Sequence, residues 1–316
     1  MLARLQRITT LGLLMAAALW AAVALRAGYL AWAWVGALLI VFGYALVLAA
    51  EFALLRTVHG HDAAPRATAA QLLRAWWGEV RAAPLVFCWR QPFLSRRWPD
   101  HVPADARGRR GVLLVHGFVC NRGLWNSWLE HLHARGVPCI AVNLEPVFGS
   151  IDDYVATIDA AVQRLEQATG LPPLIVAHSM GGLAVRCWWA ERGDGARVHH
   201  LITLGAPHQG TWLARFAVTP NGRQMRQHSH WLSALARREA PDVFAHITCF
   251  YSHCDNIVFP PSMAALAGAE NRHLAGVAHV DMVNRQEPWD EMLYRLSDDL
   301  RAGRPSPAPA LRSTAI

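Results

Sequence analysis

The chain has 316 residues, 53% of them apolar, with 30 basic against 23 acidic side chains and a net charge of +7. Every basic residue is arginine. The lack of lysine excludes Schiff-base and pyridoxal-phosphate catalysis, a complete Walker A loop and a protein-kinase site. Moderate charge argues against disorder, and six cysteines are too few for a disulfide-built miniprotein. The arginines are scattered, with no run beyond pairs such as Arg96-Arg97, so no nucleic-acid partner is expected. Attraction to anionic lipid is the milder reading of the charge.

Residues 1–50 read as a membrane anchor. Leu11–Leu25 is uninterruptedly apolar, Arg26 follows, and Ala27–Ala50 is 24 residues without a charge. A single helix over both stretches would run about 60 Å, roughly twice a hydrocarbon core. Two transmembrane helices joined by a tight turn at Arg26-Ala27-Gly28 fit better. Trp20, Tyr29, Trp32 and Trp34 then lie near the turn, where interfacial aromatics belong. Arg4 and Arg7 precede the first span, while Arg56, Arg66 and Arg74 follow the second. The bias places both ends, and the domain that follows, on the cytoplasmic side of a bacterial-type inner membrane. A cleaved signal ending at Ala22-Val23-Ala24 is the competing reading, and it would leave the second span as an anchor.

Residues 51–110 form a connector. Within it Ala67–Ala82 has an amphipathic helical pattern, with Leu72, Leu73, Trp76 and Val80 on one side. Leu85–Trp89 reads as an early strand and Pro99–Arg110 as a loop. From Gly111 strands and helices alternate to residue 303. The strands are Val112–Val115, Val137–Leu144, Leu174–Ala177, Leu201–Leu204 and Ile247–Tyr251. The helices are Leu124–Arg135, Ile151–Ala168, Met180–Glu191 and Pro288–Leu300. Short, fully apolar strands suit a mostly parallel sheet covered by helices on both faces, an α/β domain. Residues 207–246 interrupt the alternation, as a small cap over a site or as packing helices. Residues 304–316 read as a disordered tail.

Ala177-His178-Ser179-Met180-Gly181-Gly182 lies between an apolar strand and a helix. It is a G-x-S-x-G nucleophile elbow with alanine first, where small residues let the strand turn sharply and expose the serine. The competing role for Ser179 is a helix N-cap. A serine nucleophile needs a base held by an acid, in the chain order nucleophile, acid, base. Asp255, just after the strand Ile247–Tyr251, and His279, in Gly276-Val277-Ala278-His279, satisfy that order. Asp281 and Asp242 are alternative acids. The oxyanion needs two backbone donors, for which the amides of Met180 and Phe118 are placed, the latter after His116-Gly117. A strand-terminal His-Gly is otherwise only a turn.

These motifs carry a resemblance. Residues 111–285 resemble the α/β-hydrolase superfamily, in particular bacterial lipases and esterases. The alanine-first elbow is similar to that of small Bacillus-type lipases, and Thr203–Thr211 resembles their strand after the nucleophile. The resemblance implies Ser179 as nucleophile, Asp255 as acid, His279 as base, Phe118 and Met180 as oxyanion donors, and no cofactor.

Other signals carry less. His59/His61/Asp62, His131/His133 and His228/His230 complete no zinc spacing, so no metal is expected. The cysteines at 88, 120, 139, 187, 249 and 254 show no disulfide framework, and Cys120 reads as a packed thiol. Trp188-Trp189 reads as core or a domain contact. The expectation is a membrane-anchored hydrolase of carboxylic esters with a lipid-like substrate. Acyl transfer or amide cleavage by the same triad, and a catalytically silent binding protein, are the alternatives.

Overall fold

The computed structural model describes residues 1–192 and 197–302, with side chains to residue 297 apart from the gap. The expected tail 304–316 lies outside the described residues. The chain begins with α1, Leu2–Arg26, a 25-residue helix whose most apolar stretch has mean hydropathy 2.1. By length and composition it is able to cross a membrane. It starts well before Leu11 and ends at the expected turn, where Gly28 has φ +79°. The second apolar stretch is broken, unlike the continuous span expected. α2, Leu30–Phe42, and α3, Tyr44–Val58, meet at Gly43 with a 53° bend and are long enough only when taken together. α1 packs closely along α2 because Gly36 has no side chain: a Cβ there would lie 1.8 Å from the Trp20 ring nitrogen.

α4, Ala69–Pro84, opens with a Thr68–Gln71 capping box and buries Ala75, Glu79 and Ala82. The strand expected at Leu85–Trp89 is instead a π-helical stretch, Leu85–Arg90, that prolongs α4. Pro84 explains it, since proline lacks the N–H that would bond Val80. The Tyr44 hydroxyl donates to that Val80 oxygen at 2.8 Å. A five-residue apolar run does not by itself distinguish the two conformations.

The remaining chain folds around a six-stranded, all-parallel sheet in the order β2-β1-β3-β4-β5-β6. The strands are β1 Val112–Val115, β2 Cys139–Ala141, β3 Leu174–His178, β4 His200–Leu204, β5 Ile247–Tyr251 and β6 Glu270–His273. Period-2 alternation divides their side chains between two cores. Leu113, Val115, Ile175, Ala177 and Leu201 face α6, Val155–Thr169, and α7, Met180–Arg192. Val112, Leu114, Leu174, Val176 and Ile202 face Trp125, Trp128 of α5, Asn126–Ala134, and the last helix. Trp188 and Trp189 are core residues. β6 has no counterpart among the expected strands, because Glu270-Asn271-Arg272-His273 is an edge strand without apolar residues.

Residues 207–246 hold α8, Pro220–Gln224, and α9, His230–Arg238, flanked by 3-10 turns. A buried bidentate pair, Arg186 to Glu239 at 2.7 and 2.7 Å, ties this segment to α7. Trp231 donates to Asp152 at 2.8 Å on the other side. The chain closes on α10, Gln286–Ala302. A third, smaller core joins the N-terminal helices to the sheet domain. Phe52 and Leu55 of α3 and Ala75 of α4 pack with Cys254, Phe259 and Ala278.

Candidate active site

The chemistry-bearing residues lie beyond the carboxyl ends of the strands, where parallel sheets place their sites. Ser179 follows β3 directly and has φ +54°, a left-handed conformation that a serine adopts only under constraint. The constraint is visible. Its amide donates to Leu204 O at 2.9 Å, and its carbonyl accepts from Gly182 at 2.9 Å as α7 begins. At Gly181 a Cβ would lie 2.5 Å from His116 O, so only glycine lets α7 approach β1 this closely. Ser179 is 7% exposed.

Asp255 follows β5 and is fully buried. Its Oδ1 accepts from the amides of Ile257 and Val258 at 2.9 and 2.8 Å, which leaves Oδ2 to accept from His279 Nδ1 at 2.9 Å. That bond fixes the tautomer with His279 Nε2 free to take a proton. Burial alone would lower the His279 pKa, but the charge and hydrogen bond of Asp255, reinforced by Glu79 and Glu51, raise it above the usual imidazole range. Gly205 closes this corner, since a Cβ there would lie 2.8 Å from Asp255 Oδ2 and 3.1 Å from His279 Nδ1. His178, beside the serine, packs its ring 4.6 Å from that of His279 at a tilt of 50° and bonds the His279 carbonyl at 3.1 Å. Among the described residues no hydrogen bond joins Ser179 Oγ to His279. Such contacts commonly tighten only in the substrate complex.

The other side of the serine is the turn after β1. A Cβ on Gly117 would lie 2.7 Å from Ser179 Cβ and 3.3 Å from its Oγ, so the backbone here is in close approach to the nucleophile. His116 is buried, and burial pushes its pKa down to about 4. As a neutral ring it accepts from Leu144 N at Nε2, 3.0 Å, and donates from Nδ1 to Gly117 O at 2.9 Å. Gly117 C=O and Phe118 N–H belong to one trans peptide and point opposite ways. Anchoring the carbonyl therefore fixes the direction of the Phe118 donor. The Phe118 ring packs edge-on to Phe148 at 5.9 Å. Met180, whose amide heads α7, is buried.

Three residues around His279 escaped the sequence. Glu79 of α4 is 2% exposed and accepts from the amides of Val280 and Asp281, both at 3.1 Å. It caps the short turn that begins at His279. Burial raises its pKa to about 7, against the opposing pull of those two amides and of His279. Asn256 accepts from His279 N at 3.2 Å and donates to Glu51 of α3 at 2.7 Å. A lone glutamate in an amphipathic helix carries no spacing signal, so no motif points to it.

Asp281 and Asp242, the alternative acids, do not bond His279. Asp281 pairs with Arg285, and Asp242 lies in an exposed 3-10 turn. Cys120 is buried, and burial raises its thiol to about 12, so it is a packed thiol rather than a nucleophile. All six cysteines are unpaired. Among the described residues no group of three or more metal-ligating side chains forms.

Comparison with known proteins agrees with this architecture. The model of the alpha/beta hydrolase family matches residues 112–315. A (lyso)-N-acylphosphatidylethanolamine lipase from Bos taurus is 26% identical over 176 residues, 49% of this chain and 48% of that protein. The chain thus spans about half the length of that curated relative. Among solved structures, the mature Bacillus licheniformis lipase BlEst2 superposes with a TM-score of 0.54 at 16% identity, covering 62% of this chain and 96% of that one. Aspergillus fumigatus lipase B gives 0.51 at 20% identity, covering 60% and 53%. At such identities the likeness is one of fold. With the family match spanning well over half of its length, and with a parallel sheet of the expected kind, the chain belongs to the α/β-hydrolase family.

Proposed function

We propose that the protein is a membrane-anchored serine hydrolase of carboxylic esters, acting on lipid-like acyl substrates. The observation that carries the reading is the buried Asp255–His279 pair at 2.9 Å on the same sheet edge as a serine held at φ +54°. In this scheme His279 Nε2 takes the Ser179 proton as Oγ attacks the ester carbonyl. Asp255 orients the imidazole and stabilises the imidazolium. The tetrahedral oxyanion is received by the Phe118 and Met180 amides, held before reaction by His116 and by the start of α7. His279 then protonates the departing alcohol, and water, activated by the same ring, releases the acid from the acyl-enzyme. No cofactor enters these steps.

Lipid substrate and membrane location are supported together. The turn between α1 and α2 lies far from the domain in sequence, while both outer ends of the helical hairpin touch the catalytic region. Gln6 of α1 donates to Val119 O at 3.3 Å in the oxyanion turn, and Glu51 of α3 accepts from Asn256. Leu73, Trp77, Leu85 and Trp89 are exposed along one side of α4 and its π-helical continuation, spaced to lie on an interface. The arginine bias favours the cytoplasmic face for this assembly. The bovine relative acts on N-acylated phosphatidylethanolamine by name, which favours phospholipid-like acyl esters among candidates.

The test is a panel of acyl esters of increasing chain length given to the full chain in detergent micelles. Hydrolysis is expected, with free acid as the product even when an alcohol acceptor is present. Transfer to the alcohol would make the protein an acyltransferase, and inertness to every ester would sink the reading.

A further inference from the structure

At the foot of α3 a cavity of about 160 Å³ separates the end of the apolar hairpin from the turn that carries Asp255. Arg56 and His59 enter it from the last turn of α3, Arg66 from the following loop, and His253 from the domain side; Leu55 and Leu72 form its apolar wall. His59 is 6% exposed, yet neither ring nitrogen has a hydrogen-bond partner. A buried imidazole in that condition demands explanation, because burying a polar group without a hydrogen-bond partner is costly. The charge is equally uncompensated. Among the described residues neither Arg56 nor Arg66 forms an ion pair, and Arg66 donates only to Gly60 O, at 3.0 Å. Asp62, an acid in the same loop, has its carboxylate engaged by Ala64 N at 2.9 Å and by Ser262. Among the described residues no acidic side chain lines the cavity. His253 accepts from Gly276 N at 3.2 Å through Nε2, so it faces the cavity as a neutral ring.

Two guanidinium forks and an imidazole donor around a space of this size match the chemistry of a phosphate oxyanion. The position selects the source. The cavity lies one turn beyond the apolar part of α3, the depth at which a spanning helix meets lipid headgroups, and both arginines are exposed there. We propose that this cavity is an anion site that takes the phosphate of an anionic phospholipid headgroup. The bound headgroup ties α3 and the 59–67 loop to the turn of His253, two residues from Asp255. The regulatory half of this assignment rests on the Ser179–His279–Asp255 reading above; the binding half does not.

The experiment uses the full chain, wild type and the double variant R56A/R66A, both sites being at the surface. In phosphatidylcholine nanodiscs, replacing about a third of the lipid by phosphatidylglycerol is expected to raise wild-type turnover of a short soluble ester at least threefold. The double variant should keep its basal rate and lose the response. In detergent, inorganic phosphate should raise the thermal midpoint of the wild type but not of R56A/R66A, and H59Q should weaken that shift. Equal responses of wild type and double variant, in either arm, overturn the site. Stabilisation by phosphate without any distinction between the two nanodisc compositions overturns the lipid assignment in favour of a free phosphate. S179A carried in parallel separates the two readings. If it hydrolyses ester like the wild type, the triad fails, while the phosphate arm still decides the anion site.

Discussion

Replacing Ser179 by alanine is expected to lower kcat on an acyl ester about a million-fold, the loss seen when such a triad is deprived of its nucleophile. KM should change little, because the side chain contributes chemistry rather than most of the binding. Alanine fits the site: it removes one oxygen from a residue whose backbone is held by Leu204 and Gly182, so the elbow is retained. Asp255 and His279 remain bonded to each other and not to the serine, and their geometry is therefore independent of it. The residual rate would come from the oxyanion donors acting on water. Single-turnover and steady-state kinetics on a chromogenic ester, with matched thermal midpoints, provide the check. A variant retaining a tenth or more of wild-type kcat contradicts the assignment.

The second large effect is expected at Glu79, a residue that touches no substrate. Glu79→Gln keeps the size and one acceptor, but turns an NH2 group toward one of the two amides now bound, Val280 or Asp281. The lost charge-assisted bond is worth about 1.5–3 kcal/mol, so kcat is expected to fall about 10- to 100-fold as His279 loses its fixed place. KM should be nearly unchanged. The pH profile distinguishes positioning from simple destabilisation. Glu79 is one of the anions that raise the His279 pKa, so its removal moves the acid limb of kcat/KM to lower pH. Glu79 itself ionises at about 7, so the deficit against wild type should be widest above that pH and narrow below it, where the wild-type carboxyl is protonated too. An unshifted acid limb in a folded E79Q protein would leave Glu79 a structural cap alone.

What could be read from the sequence follows from what leaves a one-dimensional trace. β1 and β5 have the expected bounds because apolar strands buried on both faces are contiguous in sequence. Ser179, Asp255 and His279 stood out through a motif and a chain order, and the structure brings the last two into contact. The polar edge strand β6 left no such trace, and neither did the π-helical stretch after Pro84, whose cause is one missing N–H, the freed Val80 carbonyl being met by a hydroxyl 36 residues away. Glu79 and Glu51 reach His279 from helices some 200 residues earlier, a distance over which no spacing rule operates. The bend at Gly43 was likewise hidden inside an unbroken apolar run.

Both kinds of observation meet at the feature first apparent in composition, a basic set made only of arginine. In the proposed topology arginines flanking the apolar hairpin orient it, and two of them line the cavity at its foot. The lack of a lysine amine costs the proposed mechanism nothing, since its nucleophile is a hydroxyl and its base an imidazole.

The most direct measurement is covalent labelling with a fluorophosphonate, which reacts with a serine only when a neighbouring base activates it. Full-length protein in detergent should gain one phosphonate, mapped by mass spectrometry to the peptide containing Ser179, and lose ester hydrolysis in proportion to labelling. S179A should take up none. Absence of labelling on folded wild-type protein, or a label on another serine with Ser179 unmodified, would contradict a nucleophile at Ser179.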